Sequence, residues 1–283
     1  MPLRLKKLVI PFLIFILLLG SYYGYDSYLH ITTDNAQVSA HFLMISSRVN
    51  GTISKVFVEE HQKVNAGDVL AQIDTSDYSN ATTAASAMVS SLVARVQEAK
   101  VNYSRAQELY KTQAISMERF DKAQADFKDL EAKLKAAKSQ AEQAGLNESY
   151  TKILAPSDGV IARKSVEPGQ FVPAGQPLFG FVAEKKRWVV ANLKETELKD
   201  LKINQEVVIE VDAIAHKKFS GKVVSIAPST GAVFSLLPPD NATGNFTKVV
   251  QRVPVKIDLE NLSDSDIDAL QLGLSAVVSI RIH

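Results

Sequence analysis

Gly51–Leu70 reads GTISKVFVEEHQKVNAGDVL and Gly159–Leu178 reads GVIARKSVEPGQFVPAGQPL. Laid over each other at an offset of 108 without a gap, they share nine of twenty residues, among them Gly51/Gly159, Glu59/Glu167, Val64/Val172, Gly67/Gly175 and Leu70/Leu178. Apolar residues alternate along short runs broken by turn residues, which is the pattern of short strands. One copy has too few strands to close a core, so the two must pair face to face in a small flattened β-sandwich. Its halves are expected over 44–75 and 151–183, with turn glycines Gly51, Gly67, Gly159, Gly169 and Gly175 where positive φ is needed.

Between the copies, residues 68–144 hold neither glycine nor proline. Ala85, Val89, Leu92, Val96, Ala99, Tyr103, Ala106 and Tyr110 recur at alternating steps of four and three, as do Phe120, Ala123, Phe127, Leu130, Leu134, Ala137 and Ala141. Two such seams, over Asp77–Thr112 and Met117–Ala144, predict an antiparallel coiled-coil hairpin within 76–150, its arms about 42 to 54 Å long. Ten basic and ten acidic residues between Asp77 and Glu148 give it mixed, solvated outer faces.

After Leu178 the pattern returns to short strands, Trp188–Leu193, Glu206–Val211, Lys222–Ile226, Val249–Leu259 and Ala276–Ile280, punctuated by Gly and Pro. These predict a β-barrel over 184–283, joined by a strand from 31–43. At the N-terminus, Arg4, Lys6 and Lys7 precede an uncharged run over 8–25 that is just long enough to span a bilayer. The reading is a tail over 1–7 in the cytoplasm, a single retained transmembrane helix and the bulk of the chain exported; a cleaved signal peptide is the rival, but small residues at A-x-A spacing are missing. The fold class is thus mainly β plus α: a split lipoyl-like sandwich with an inserted hairpin, a C-terminal barrel and an N-terminal anchor.

Thirty-two basic against thirty-one acidic residues leave a net charge of +1, so nucleic acid is not an expected partner. No cysteine is present, which removes disulfides and thiolate chemistry. Five scattered histidines, His30, His41, His61, His216 and His283, lack metal-ligand spacing. Asp264, Asp266 and Asp268 mimic the start of a calcium loop, but Ala269 and Ser275 stand where glycine and glutamate belong, so they read as a polar turn. Glu59 and Glu167 are inherited duplicates rather than a catalytic pair. No catalytic, cofactor or metal site is expected, and the chain reads as a non-enzyme.

Duplicated half-motifs of this kind resemble biotinyl or lipoyl carrier domains, but no Met-Lys-Met or Asp-Lys-Ala lies between the halves, which weakens a carrier role. The whole chain more closely resembles the HlyD/EmrA-type periplasmic adaptor, or membrane fusion protein, family of multidrug efflux pumps. The resemblance rests on ITTDNAQVSA (Ile31–Ala40), ISSRVNGTISKVFVEEHQKVNAGDVLAQID (Ile45–Asp74), ILAPSDGVIARKSVEPGQFVPAGQPL (Ile153–Leu178) and GAVFSLLPPDNATGNFTKVVQRVPVKI (Gly231–Ile257). It implies an inner-membrane, single-pass protein of a Gram-negative bacterium, with most of the chain in the periplasm. Its implied partners are an inner-membrane transporter, with the major-facilitator type favoured, a TolC-like outer-membrane channel, and further copies of itself in a trimeric or hexameric ring. The family's Arg-x3-Leu-x6-Ser tip pattern falls on Arg105, Leu109 and Ser116, implying channel docking there. The same resemblance leaves open polypeptide secretion with an ABC transporter.

Overall fold

The computed structural model describes residues 30–234 and 249–282. They divide into two compact units, one over Phe42–Ala183 and one formed by the residues up to His41 and from Glu184 onward. The tail and anchor expected over 1–25 lie outside the described residues, as do residues 235–248 of the Gly231–Ile257 stretch and His283. Among the described residues, no helix is long and apolar enough to cross a membrane.

Strand β1 (His30–Ser46) supplies residues to both units. In the first unit β2 (Gly51–Val56), β3 (Lys63–Val64) and β4 (Val69–Ile73) come from the first repeat. The second repeat supplies β6 (Gly159–Lys164), β7 (Phe171–Val172) and the start of β8 (Pro177–Lys194), after β5 (Lys152–Leu154). The copies are interleaved: Gly51 pairs with Val172 on β2 and β7, and Gly159 with Val64 on β6 and β3. The exchange is reciprocal to the single bond, since Ile53 N–H donates to Gln170 O at 2.8 Å and Ile161 N–H to Gln62 O at 3.0 Å, each pair displaced by the repeat offset. Neither half can satisfy its own backbone, and the core follows the same logic, with Ile53, Leu70, Ile161 and Leu178 wholly buried between the copies.

Helices α1 (Ser76–Lys111) and α2 (Met117–Ser149) form the hairpin. The heptad positions are its buried stripe. Leu92 and Ala99 are buried, and every other assigned seam residue is partly buried except Tyr110, which lies beside the tip loop. Even there Tyr110 stacks on Phe120 with ring centroids 5.1 Å apart, and one heptad away Tyr103 stacks on Phe127 at 5.7 Å with planes 4° apart. Helix α2 does not stop at Ala144 but continues through Gly145 to Ser149. A mid-helix glycine costs only about 1 kcal/mol, too little to break a helix whose flanking residues favour it.

In the second unit β1, β12 (Ser275–Arg281), β9 (Glu206–Val211), β10 (Lys218–Ile226), β11 (Arg252–Leu259) and β8 are neighbours in that order, and β1 also pairs with β8, closing the barrel. Its strands alternate strictly: Val207, Ile209 and Val211 point inward, as do Val253, Val255 and Ile257, while the residues between them are more exposed.

The aspartates read as a polar turn instead form helix α3 (Asp264–Ala269). Six residues show no periodicity, so the only sequence cue was Ser263 three positions before Asp266. That pair closes a capping box: Ser263 Oγ accepts from Asp266 N–H at 3.3 Å, and Asp266 Oδ2 accepts from Ser263 N–H at 3.1 Å. Lys217 donates to the other oxygen of the buried Asp266. Hydrogen bonds from Lys217 and Ser263 hold the Asp266 carboxyl down at about 2. A depressed carboxylate stabilises the fold fully above its unfolded pKa near 4 and loses that contribution as pH falls toward 2. Asp266→Asn is therefore expected to melt earlier than the parent at neutral pH, with the gap narrowing between about pH 4 and 2; a gap that stays constant over that range contradicts this role.

Candidate functional site

At the hairpin tip α1 ends without glycine. Gln113 takes the left-handed conformation instead (φ 57°), Gln113 N–H donates to Tyr110 O at 3.0 Å, and Ala114 N–H donates to Leu109 O at 2.8 Å. Because the stacked Tyr110 and Phe120 fix the rotation of both helices, Arg105 and Leu109 fall off the seam, one turn apart on the same side of α1. Arg105 is exposed and Leu109 is 47 % exposed. Ser116 occupies the N-cap of α2, also exposed, and its side chain makes no capping bond. The structure thus puts all three residues at one end of the hairpin with their side chains accessible. Met117 adds a fourth side chain, 62 % exposed, that pattern reasoning missed because it sits at no seam or motif position.

Of the repeat glycines, Gly67, Gly169 and Gly175 have φ between 85° and 88° at tight turns. Gly51 (φ 151°) begins β2, and a Cβ there would meet Ile73 Cγ2 at 2.5 Å. Gly159 departs from the expectation. Its φ is not positive, and it lies at the start of β6, where a Cβ would sit 2.4 Å from both Phe181 Cζ and the Val182 carbonyl oxygen. Close approach, not turn conformation, requires glycine there. The residue matching Gly169 in the first copy is His61, held at φ 66° in the equivalent turn. A non-glycine residue in this region carries roughly 1–2 kcal/mol of strain. His61→Gly is accordingly expected to raise the melting temperature by a few degrees, and an unchanged or lower value in a thermal melt contradicts it.

Glu59 and Glu167 do converge, but on a cation. Lys164 Nζ lies 2.9 Å from Glu167 and 3.5 Å from Glu59, and the bond to Glu167 raises its pKa. Nothing in this trio offers an unpaired acid or base beside a cleft. Among the described residues, no group of three or more His, Asp or Glu could hold a metal ion. A carrier domain's lysine belongs at a tight turn between the halves, and α1 and α2 occupy that place.

The family model described as "RND MFP, barrel-sandwich hybrid domain" matches residues 42–184, and a CusB-like β-barrel domain model matches residues 186–233. The multidrug export protein EmrA of Haemophilus influenzae is 33 % identical over 297 residues, spanning 88 % of this chain and 76 % of that protein. The chain belongs to the membrane fusion protein family. The fatty acid resistance protein FarA of Neisseria gonorrhoeae is 31 % identical, with 88 % of this membrane fusion protein and 75 % of the relative aligned. Among solved structures, a MacA–MexA chimera carrying the Pseudomonas aeruginosa MexA α-hairpin domain superposes with a TM-score of 0.65 over 90 % of this chain and 82 % of the other, at 23 % identity. At that identity the likeness speaks for the fold alone.

Proposed function

We propose that this membrane fusion protein is the periplasmic adaptor of a tripartite efflux system, joining an inner-membrane drug exporter of the major-facilitator type to a TolC-like outer-membrane channel. In this reading residues 8–25 anchor the chain in the inner membrane, the barrel and anchor meet the transporter, and several copies, three or six, assemble into a ring. The protein does no chemistry; transport energy comes from the exporter. The observation that carries the reading is the match to EmrA-named relatives along sandwich, hairpin and barrel together. The accessible Arg105, Leu109 and Ser116 support the hairpin end as the channel contact.

The test separates docking from packing. Arg105 and Leu109 lie off the seam, so Arg105→Asp with Leu109→Ser costs little stability, whereas a docking contact loses charge complement and association rate together. Drug susceptibility is measured in a strain lacking its native adaptor, with protein level and melting temperature followed in parallel. The expected result is loss of resistance at normal level and normal melting; full resistance refutes the docking role.

A further inference from the structure

At the base of the hairpin, the start of α1, the end of α2 and the β2–β7 pair enclose a groove of about 640 Å³, within the range of small-molecule sites. Gly51 and Thr52 line it, and Tyr78, Gln143, Asn147 and Phe171 stand around it. Neither Lys, Arg nor His is among its lining residues. Four side-chain amides face it: Asn50, Gln140, Gln143 and Asn147.

Several of these amides are oriented by their neighbours. Asn50 Oδ1 accepts from Ala174 N–H at 2.7 Å, which turns its two N–H donors the other way. Gln143 Nε2 donates to Asn147 Oδ1 at 3.0 Å, leaving the Gln143 carbonyl as an acceptor and the Asn147 amide as a donor. The Tyr78 hydroxyl donates to the main-chain carbonyl of Asn50 at 2.7 Å. At the rim Phe171 is 64 % exposed, a flat apolar ring.

The geometry points to this groove as a binding site for a neutral saccharide. Amides that present both donors and acceptors match vicinal hydroxyls, each of which donates and accepts, and an exposed ring offers a platform to the C–H face of a sugar. Asp74 and Asp77 are the charged residues of the lining, and no cationic side chain stands there to attract an anion. A cation gains little from them, because Asp74 already accepts from Ser76 N–H at 3.0 Å and Ser76 Oγ at 2.7 Å, and both carboxylates sit at the positive end of α1.

The repeat supplies the comparison. At the position equivalent to Asn50 the second copy has Asp158, whose Oδ1 accepts from Ala66 N–H at 3.0 Å, the same turn bond. The turn needs only an acceptor, so the amide of Asn50 brings donors the fold does not require. Likewise Phe171 corresponds to Lys63.

The full chain is titrated with maltose, cellobiose, N,N′-diacetylchitobiose and, as the cationic control, spermidine, by calorimetry and by the side-chain amide NMR shifts of Asn50 and Asn147. At least one disaccharide is expected to bind at millimolar concentration or better and to shift those amides. Asn50→Asp is expected to weaken binding about tenfold, and Phe171→Lys to abolish it, with melting temperatures unchanged. Absence of binding by all three sugars, sugar binding that leaves the amide shifts unmoved, or binding of spermidine alone overturns the proposal. The adaptor reading plays no part in it, and its failure leaves that reading untouched.

Discussion

Replacing residues 75–150 with a short turn is expected to yield a cooperatively folding β protein that supports no efflux. The strands flanking the hairpin are already partners: β4 and β5 are antiparallel with Gln72 opposite Lys152, and Ile73 N–H donates to Thr151 O at 2.8 Å. Their ends lie one ladder rung apart, a gap that a two- to four-residue turn spans. The sandwich core draws on Ile53, Leu70, Ile161 and Phe181, with little from the helices, whose own buried residues are Leu92 and Ala99 alone. Circular dichroism should lose most of its helical signal and keep the sheet signal, while emission of Trp188, the single tryptophan and a barrel residue, stays where it was. Loss of the cooperative melt would show that the two halves are not one sandwich.

Gly159→Val is expected to abolish folding of the sandwich. The added Cβ meets a backbone oxygen, Val182 O at 2.4 Å, on the strand to which β6 is bonded, and Phe181 Cζ at the same distance. Neither can retreat: Phe181 is wholly buried, and moving Val182 breaks the β6–β8 ladder. Such a clash belongs among the substitutions that cost more than about 4 kcal/mol, a large share of a domain's stability. Gly67→Ala is the control, since nothing lies within 4 Å of its Cβ and only the left-handed φ of 86° is strained; its cost should be about 1–2 kcal/mol. Soluble yield and thermal melts distinguish the two, and equal effects would show that crowding at Gly159 is not what requires glycine there.

The repeat and the heptads were legible because both are periodic: one offset of 108 names the reciprocal pairs Gly51/Val172 and Gly159/Val64 once the copies are interleaved, and seven-residue spacing places Tyr103 against Phe127. Strand ends were not. The strand expected over 31–43 extends to His30–Ser46, and Trp188–Leu193 to Pro177–Lys194, since no turn residue marks where one unit hands β1 or β8 to the other. The role of Gly159 was hidden for another reason: turn and crowding both select glycine, and only the position of Phe181 separates them. The groove at the hairpin base draws on residues 50–52, 74–81, 140–147 and 171, a set without any common spacing.

The position of the hairpin also bears on how the sandwich is made. Ile73 must find Thr151, and in an unstructured chain the intervening segment makes that encounter entropically costly and slow. Helices form from local contacts within microseconds, well before long-range strand pairing. Once α1 and α2 have zipped along their seam, Ile73 and Thr151 are delivered to each other, and the effective loop shrinks from over seventy residues to a few. Closure entropy grows as the logarithm of loop length, so this shortening is worth about 3 kcal/mol at the step that nucleates the sheet. The coiled coil is a splint in folding as well as an arm in the finished protein, and the first repeat must stay unpaired during synthesis until the hairpin behind it has been made.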